Sequence, residues 1–261
     1  MMEVGFKSPL LDLFRRGEVA RDVKMMAAQG ALAPRAHEQL VLLAALAEDT
    51  DAEVRAAAET TIEAIPRPAL GAFLARSEVS AGLRAFFAAR GVQPADLPAP
   101  DSEDPLVDRG DAGAGKGEAA AEQTKRGTLE RLAAMTVAER VKVAMKGSRE
   151  ERAILIRDPN KLVSAAVLSS PKLNEAEVET FAKMANVSDE VLRIIGHARA
   201  WTKSYGVVSA LARNPKTPPA VSLPLVHRLN DRDLKLISLD RNAPEPLRLA
   251  VRKRLTKGKA D

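Results

Sequence analysis

The chain has 261 residues and a formal net charge of +5; 46% of it is hydrophobic and only 3% aromatic. A core of that kind must be built from Ala, Leu, Val and Ile, which suits closely packed helices. There is no cysteine, which excludes disulfides, thiolate metal sites and a cysteine nucleophile.

No apolar run approaches the roughly 20 residues of a membrane span, and the opening stretch lacks the apolar segment of a secretory signal. A cytoplasmic protein is expected. The charge is unevenly spread. Residues 1–91 carry 11 Lys and Arg against 12 Asp and Glu, residues 92–124 carry 2 against 8, and residues 125–261 carry 27 against 15. Such asymmetry speaks to partners rather than to fold.

Residues 8–90 predict helices throughout. Ser8-Pro9 supplies an N-cap and a first-turn proline. Val19, Val23, Met26 and Ala27 place an apolar stripe on a second helix, ended by Gly30. Pro34 opens a third, with Leu40, Leu43, Ala44 and Ala47 at helical spacing. Asp51 caps a fourth whose buried face is Val54, Ala58 and Ile62. Two shorter helices follow Pro68 and Ser77, and Gly91 closes a module over residues 1–91.

Residues 92–124 are dominated by Pro, Gly, Ala, Asp and Glu, without apolar period. They cannot bury enough surface to offset the ordering of their backbone, so an acidic linker is expected. Within it, Gly110, Gly115 and Lys116 match part of a phosphate-binding loop. Gly117 stands where a Mg²⁺-ligating hydroxyl is required, and no strand precedes the motif; linker is the preferred reading.

Residues 125–261 form a basic helical module. Thr136 with Glu139, Ser148 with Glu151, and Asn174 with Glu177 are capping boxes, and Gly147 is placed as a helix terminator. From about residue 158 the chain repeats with a period of 28, the signature of a repeat array. Asp158, Asn186, Asn214 and Asn242 form one ladder, expected to close turns rather than to bind a ligand. Val167, Ile195, Leu223 and Val251 form an apolar ladder beside it. The same register sets Trp201 in a packing column with Leu173 and Leu229. It sets Tyr205 in an exposed column with Glu177 and Asp233, and Arg193 in a column with Ala165, Val221 and Leu249, where either the register slips or a charge has been placed. No strand signal occurs.

The stretches "LARNPKTPP" and "LDRNAPEPLR" resemble the helical leucine-rich-repeat-variant and HEAT-like families of bacterial α-solenoids, and "EDTDAEVRAAAETTIEAI" resembles half of a HEAT-like repeat. The resemblance implies a helical-repeat fold and a general binding role, with no catalytic residues to carry over. The expected fold class is therefore all-α, an α-solenoid of HEAT-like helix pairs.

His37, His197 and His227 are too dispersed for a metal site, and no nucleophilic triad or paired-carboxylate arrangement stands out; no catalytic residue, cofactor or metal is assigned. The preferred function is a non-enzymatic scaffold holding a protein partner on its solenoid surface. The alternative is nucleic-acid binding by the basic module, through release of phosphate counterions. A repeat enzyme acting on nucleic-acid bases ranks last. Partner binding is assigned to Arg199, Lys203, Tyr205, Arg213, Lys216 and Arg241.

Overall fold

The computed structural model describes residues 8–32, 35–95, 106 and 123–257. Most of the expected linker, the partial phosphate-loop motif over 110–117 and Pro34 lie outside the described residues. Every regular element among the described residues is helical, so the protein is all-α. Compactness divides it into two units, Met1–Leu155 with Ala165–Lys172, and Ile156–Ser164 with Leu173–Asp261. The helices over 123–155, expected to open the basic module, are grouped with the N-terminal helices.

The first unit contains α1 (Pro9–Arg15), α2 (Arg21–Ala28), α3 (Ala36–Leu46), α4 (Ala52–Glu63), α5 (Arg67–Leu74), α6 (Ala81–Ala88), α7 (Gln123–Ala134), α8 (Val137–Lys146) and α9 (Arg149–Leu155). Helix α4 forms as its sequence dictates. Asp51 accepts from the backbone N–H groups of Glu53 and Val54, and Val54, Ala58 and Ile62 are buried. Helix α3 is buried nearly all round, as a helix apolar on every face must be. Gly30 and Gly91 end their helices at φ +74 and +77, a conformation only glycine adopts freely.

Two caps differ from expectation. The helix expected after Ser77 begins at Ala81, capped by Ser80. Ser8 precedes α1 without capping it; its hydroxyl donates instead to the buried carboxylate of Glu38. The three capping boxes form as expected, with Glu139, Glu151 and Glu177 each accepting from the backbone N–H of its N-cap residue. Gly147 ends α8 with extended backbone rather than the left-handed turn. Arg152, buried, donates to its carbonyl at 2.8 Å.

After α10 (Lys161–Ser169) come α11 (Glu175–Lys183), α12 (Asp189–His197), α13 (Tyr205–Arg213), α14 (Pro219–Leu225), the 3₁₀ turn η1 (Val226–Arg228), α15 (Asp231–Leu239) and α16 (Glu245–Lys257). They make three successive helix pairs. The first helix of each pair has 9 residues, and each is joined to its second by five residues, 184–188, 214–218 and 240–244. Helix α11 packs on α13, α12 on α14, and α14 on α16. Pro224 lies inside α14, and the helix tightens into η1 directly after it.

The 28-residue register is an average. N-caps fall at Asn174, Ser204 and Asn230, steps of 30 and then 26 residues. The pair-internal turn is constant; the connection between pairs, seven residues over 198–204 but two over 229–230, absorbs the difference. Counted this way, Val178, Val208 and Leu234 match, as do Phe181, Leu211 and Ile237, then Val187, Thr217 and Ala243, Val191, Val221 and Leu247, and Ile195, Leu225 and Val251; all are buried. Leu225, not Leu223, completes the apolar ladder. Arg193 aligns with Leu223 and Leu249, so the register slips there, and Arg193 is exposed and paired with Glu190. Trp201 lies half-buried in the long connector and has no counterpart in the other pairs.

Candidate functional site

The six residues expected to bind a partner all lie on the stacked pairs of the second unit. Arg199 and Lys203 are in the connector before α13, and Tyr205 is its first residue. Arg213 ends the same helix, Lys216 is in the turn after it, and Arg241 is in the next pair's turn. Eight residues of helix separate Tyr205 from Arg213, about 12 Å along the axis.

Tyr205 and Arg213 nevertheless meet, on Asp233. Tyr205, Ser209 and Arg213 stand at i, i+4 and i+8, one stripe of α13. The Tyr205 hydroxyl donates to the Asp233 carboxylate at 2.5 Å and the Ser209 hydroxyl at 3.0 Å, and the Arg213 guanidinium closes an ion pair with it. Asp233 is 4% exposed. It is held in place by Asn230, which caps α15 by accepting from the Asp233 backbone N–H at 2.8 Å. The Asn230 N–H in turn donates to the Tyr205 oxygen at 3.2 Å.

Burial would raise the Asp233 carboxyl, but the hydrogen bonds from Tyr205, Ser209 and Arg213 outweigh it and hold the group below the usual carboxylate range. Desolvation, followed by the hydrogen bond to Asp233, raises the Tyr205 phenol above its ordinary value. A carboxylate with three donors and a phenol committed as both donor and acceptor make a clamp between α13 and α15. The column expected to be exposed is therefore mixed: Tyr205 is 43% exposed, while Glu177 and Asp233 are buried. Both residues stand at the third position of their helices, where the backbone N–H of each donates to the side chain of its N-cap asparagine.

The remaining four are exposed. Lys216 reaches the Val187 carbonyl at 3.4 Å. Asn214, between Arg213 and Lys216, is 4% exposed. Its amide donates to the carbonyls of Ala182 and Met184 at 2.8 and 2.9 Å and accepts from the Lys216 N–H at 3.0 Å. It thus ties one turn to the turn of the preceding pair. Its supposed equivalents differ: Asn186 and Asn242 are exposed at turn tips, and Asp240 is the residue that accepts within the last turn, from the Asn242 N–H at 2.8 Å.

Sequence reasoning missed Ser209 and Asp233 as partners of Tyr205. The cap pattern of Asn230 with Asp233 was the available signal. In the first unit it missed Glu38, which is 2% exposed with the Ser8 hydroxyl on it. Ser169 lies 3.1 Å from Ser8 and accepts from the Leu10 N–H. Burial pushes the Glu38 carboxyl up to about 7, against the Ser8 hydrogen bond and the charge of Arg35. Among the described residues no group of three or more His, Asp or Glu is placed to hold a metal ion. No helix among them is long and apolar enough to cross a membrane. No protein-family model, curated protein or solved structure matches this chain.

Proposed function

We propose that the chain is a non-enzymatic helical-repeat scaffold, an α-solenoid of HEAT-like pairs, that holds a protein partner on the array formed by α11 to α16. The observation that carries this reading is the recurrence of a 9-residue helix, a five-residue turn and a second helix, three times over, with matched buried columns. Stacked pairs bury one face of each helix and leave a continuous surface free. The Asp233 clamp and Asn214 spend their polar groups on holding pairs together, which fits a rigid surface rather than a reacting one.

Photocrosslinking tests it. A photoreactive residue placed at Lys203, and separately at Arg241, in the full chain should give a discrete protein adduct in cells. Adducts to nucleic acid alone, or none at either position, would overturn the scaffold reading.

Nucleic-acid binding is kept as a second reading because residues 125–261 carry 27 basic against 15 acidic groups. Arg199, Lys203 and Arg241 are exposed there.

A further inference from the structure

The first helices of the first two pairs, α11 and α13, each turn one stripe toward the next pair. On α11 the stripe is Glu175, Glu179 and Lys183; Glu179 lies over α13 so closely that any side chain at Gly206 would strike its carboxylate. On α13 it is Tyr205, Ser209 and Arg213, which hold Asp233 of α15. Steps of 30 and 26 carry that stripe to Asp231, Lys235 and Leu239 on α15. No described helix follows to receive it.

Columns in and beside this stripe carry leucine on the last pair where the first pair carries exposed polar residues, Thr180, Lys183 and Arg193. Leu239 is 80% exposed where its matches Lys183 and Arg213 are charged, and beside it Leu236 is 47% exposed where its matches are exposed Thr180 and buried Ala210. On the second helix of the pair the same change occurs. Leu223 is half-buried on α14, whereas its match on α16, Leu249, is 57% exposed. Buried Ser222 is matched by Arg248, and buried Val226 by exposed Arg252. Leu236, Leu239 and Leu249 are thus an apolar edge on the last pair, set among Lys235, Arg248 and Arg252. Arg252 reaches across to the Ser238 carbonyl at 3.4 Å, and the Nε of Arg248 is buried without a hydrogen-bond partner.

We infer that this edge of α15 and α16 docks an amphipathic helix of another protein, one with a leucine-rich stripe flanked by Asp and Glu. This rests on the scaffold reading and names the surface and the partner's chemistry. Three exposed leucines on one pair, at positions where the first pair carries Thr180, Lys183 and Arg193, make an apolar patch of the kind that marks an interaction site. Charge selects the occupant. A second copy packed edge to edge would bring two sets of Lys235, Arg248 and Arg252 into one interface, because a two-fold interface uses the same patch on both subunits. An acidic flank pairs with those cations. Asp231, Asp240 and Glu245 lie on the same pair, but Arg232 and Lys253 join Lys235, Arg248 and Arg252 and keep the balance basic.

The test uses the full-length chain and a designed helical peptide with Leu at i, i+3, i+4 and i+7 and Glu on both flanks. Fluorescence anisotropy should show saturable binding at roughly micromolar concentration. The same peptide with Lys in place of Glu should bind at least about tenfold more weakly. Leu239→Ser with Leu249→Ser should lower affinity about tenfold or more, and Lys235→Glu with Arg252→Glu should reverse the preference between the two peptides. No saturable binding, equal binding of the two peptides, or equal binding of a sequence-scrambled Glu peptide would overturn the inference. So would concentration-dependent dimerisation in sedimentation that the leucine variant abolishes, since a second copy would then be the occupant. If crosslinked protein adducts at Lys203 and Arg241 persist while peptide binding fails, the edge proposal falls and the scaffold reading stands.

Discussion

Single residues decide how this protein responds to pH and to substitution. Glu38 is a buried carboxyl whose desolvation outweighs the Ser8 hydrogen bond, so its neutral form is favoured and it is pushed up to about 7. Unfolded, it ionises near 4.5. The stability it contributes is complete below that value and is lost as pH rises toward 7, a difference of about 3 kcal/mol. Glu38→Gln keeps a partner for Ser8 and should flatten urea-denaturation stability across about pH 5 to 7, raising it on the alkaline side. Asn214 gives the opposite case, a buried amide with three partners. Asn214→Ala strands two carbonyls and should cost about 2 kcal/mol, against under ~0.5 kcal/mol for Asn186→Ala at an exposed tip. Equal melting-temperature losses in the two variants would show that the two asparagines are equivalent after all. The Thr217 hydroxyl is buried without a partner in the column it shares with Val187 and Ala243. Thr217→Val should therefore stabilise by about 1 kcal/mol, read from the same denaturation midpoints.

At the scale of elements, the turns inside pairs are fixed and the connections between pairs are free. A five-residue turn sets the angle of its two helices, and Asn214 bonds it to the previous pair. The connector over 198–204 needs only to span a gap, and lengthening a loop costs little, about 0.6 kcal/mol per doubling. Two glycines inserted after Ala200 should lower stability by under about 1 kcal/mol, whereas the same insertion after Pro215 should cost several times more. Comparable losses would mean that the connector is as constrained as the turn. The Asp233 clamp acts at this scale too. A double-mutant cycle between Tyr205→Phe and Asp233→Asn should show coupling of about 0.5–3 kcal/mol. Because the Asp233 carboxyl is held below the ordinary range, that coupling is present above the unfolded pKa and fades as pH falls through the folded one.

For the whole molecule, charge separates the two functional readings. Arg213 is committed to Asp233, which leaves Arg199, Lys203, Lys216 and Arg241 for phosphates. Four contacts would give a log–log salt slope of about −3 to −4, from roughly −0.9 per phosphate. A scaffold for proteins should instead show weak, sequence-blind attraction to duplex DNA or RNA that does not saturate near physiological salt. Saturable binding at that slope, lost on changing Lys203 and Arg241 to Glu, would favour nucleic acid.

Local chemistry is what the sequence by itself determined. Helix class, the capping boxes at Thr136, Ser148 and Asn174, the Asp51 cap and the terminating Gly30 and Gly91 follow from groups within a few residues of one another. Equivalence between repeats is not local. The match of Asn214 with Asn242 was legible at a step of 28, yet Asn214 is buried while Asn242 is exposed. Steps of 30 and 26 average to the apparent period, and only packing reveals where each pair begins. The partial site was legible as residue types: Tyr205 and Arg213 were singled out, and the structure unites them. That they meet on Asp233 depends on how α13 lies against α15. That Leu236, Leu239 and Leu249 stand open depends on how α15 and α16 lie against the helices before them. Both are decided by tertiary contacts, because burial is a property of neighbours brought from elsewhere in the chain and carries no signature in the buried residue itself.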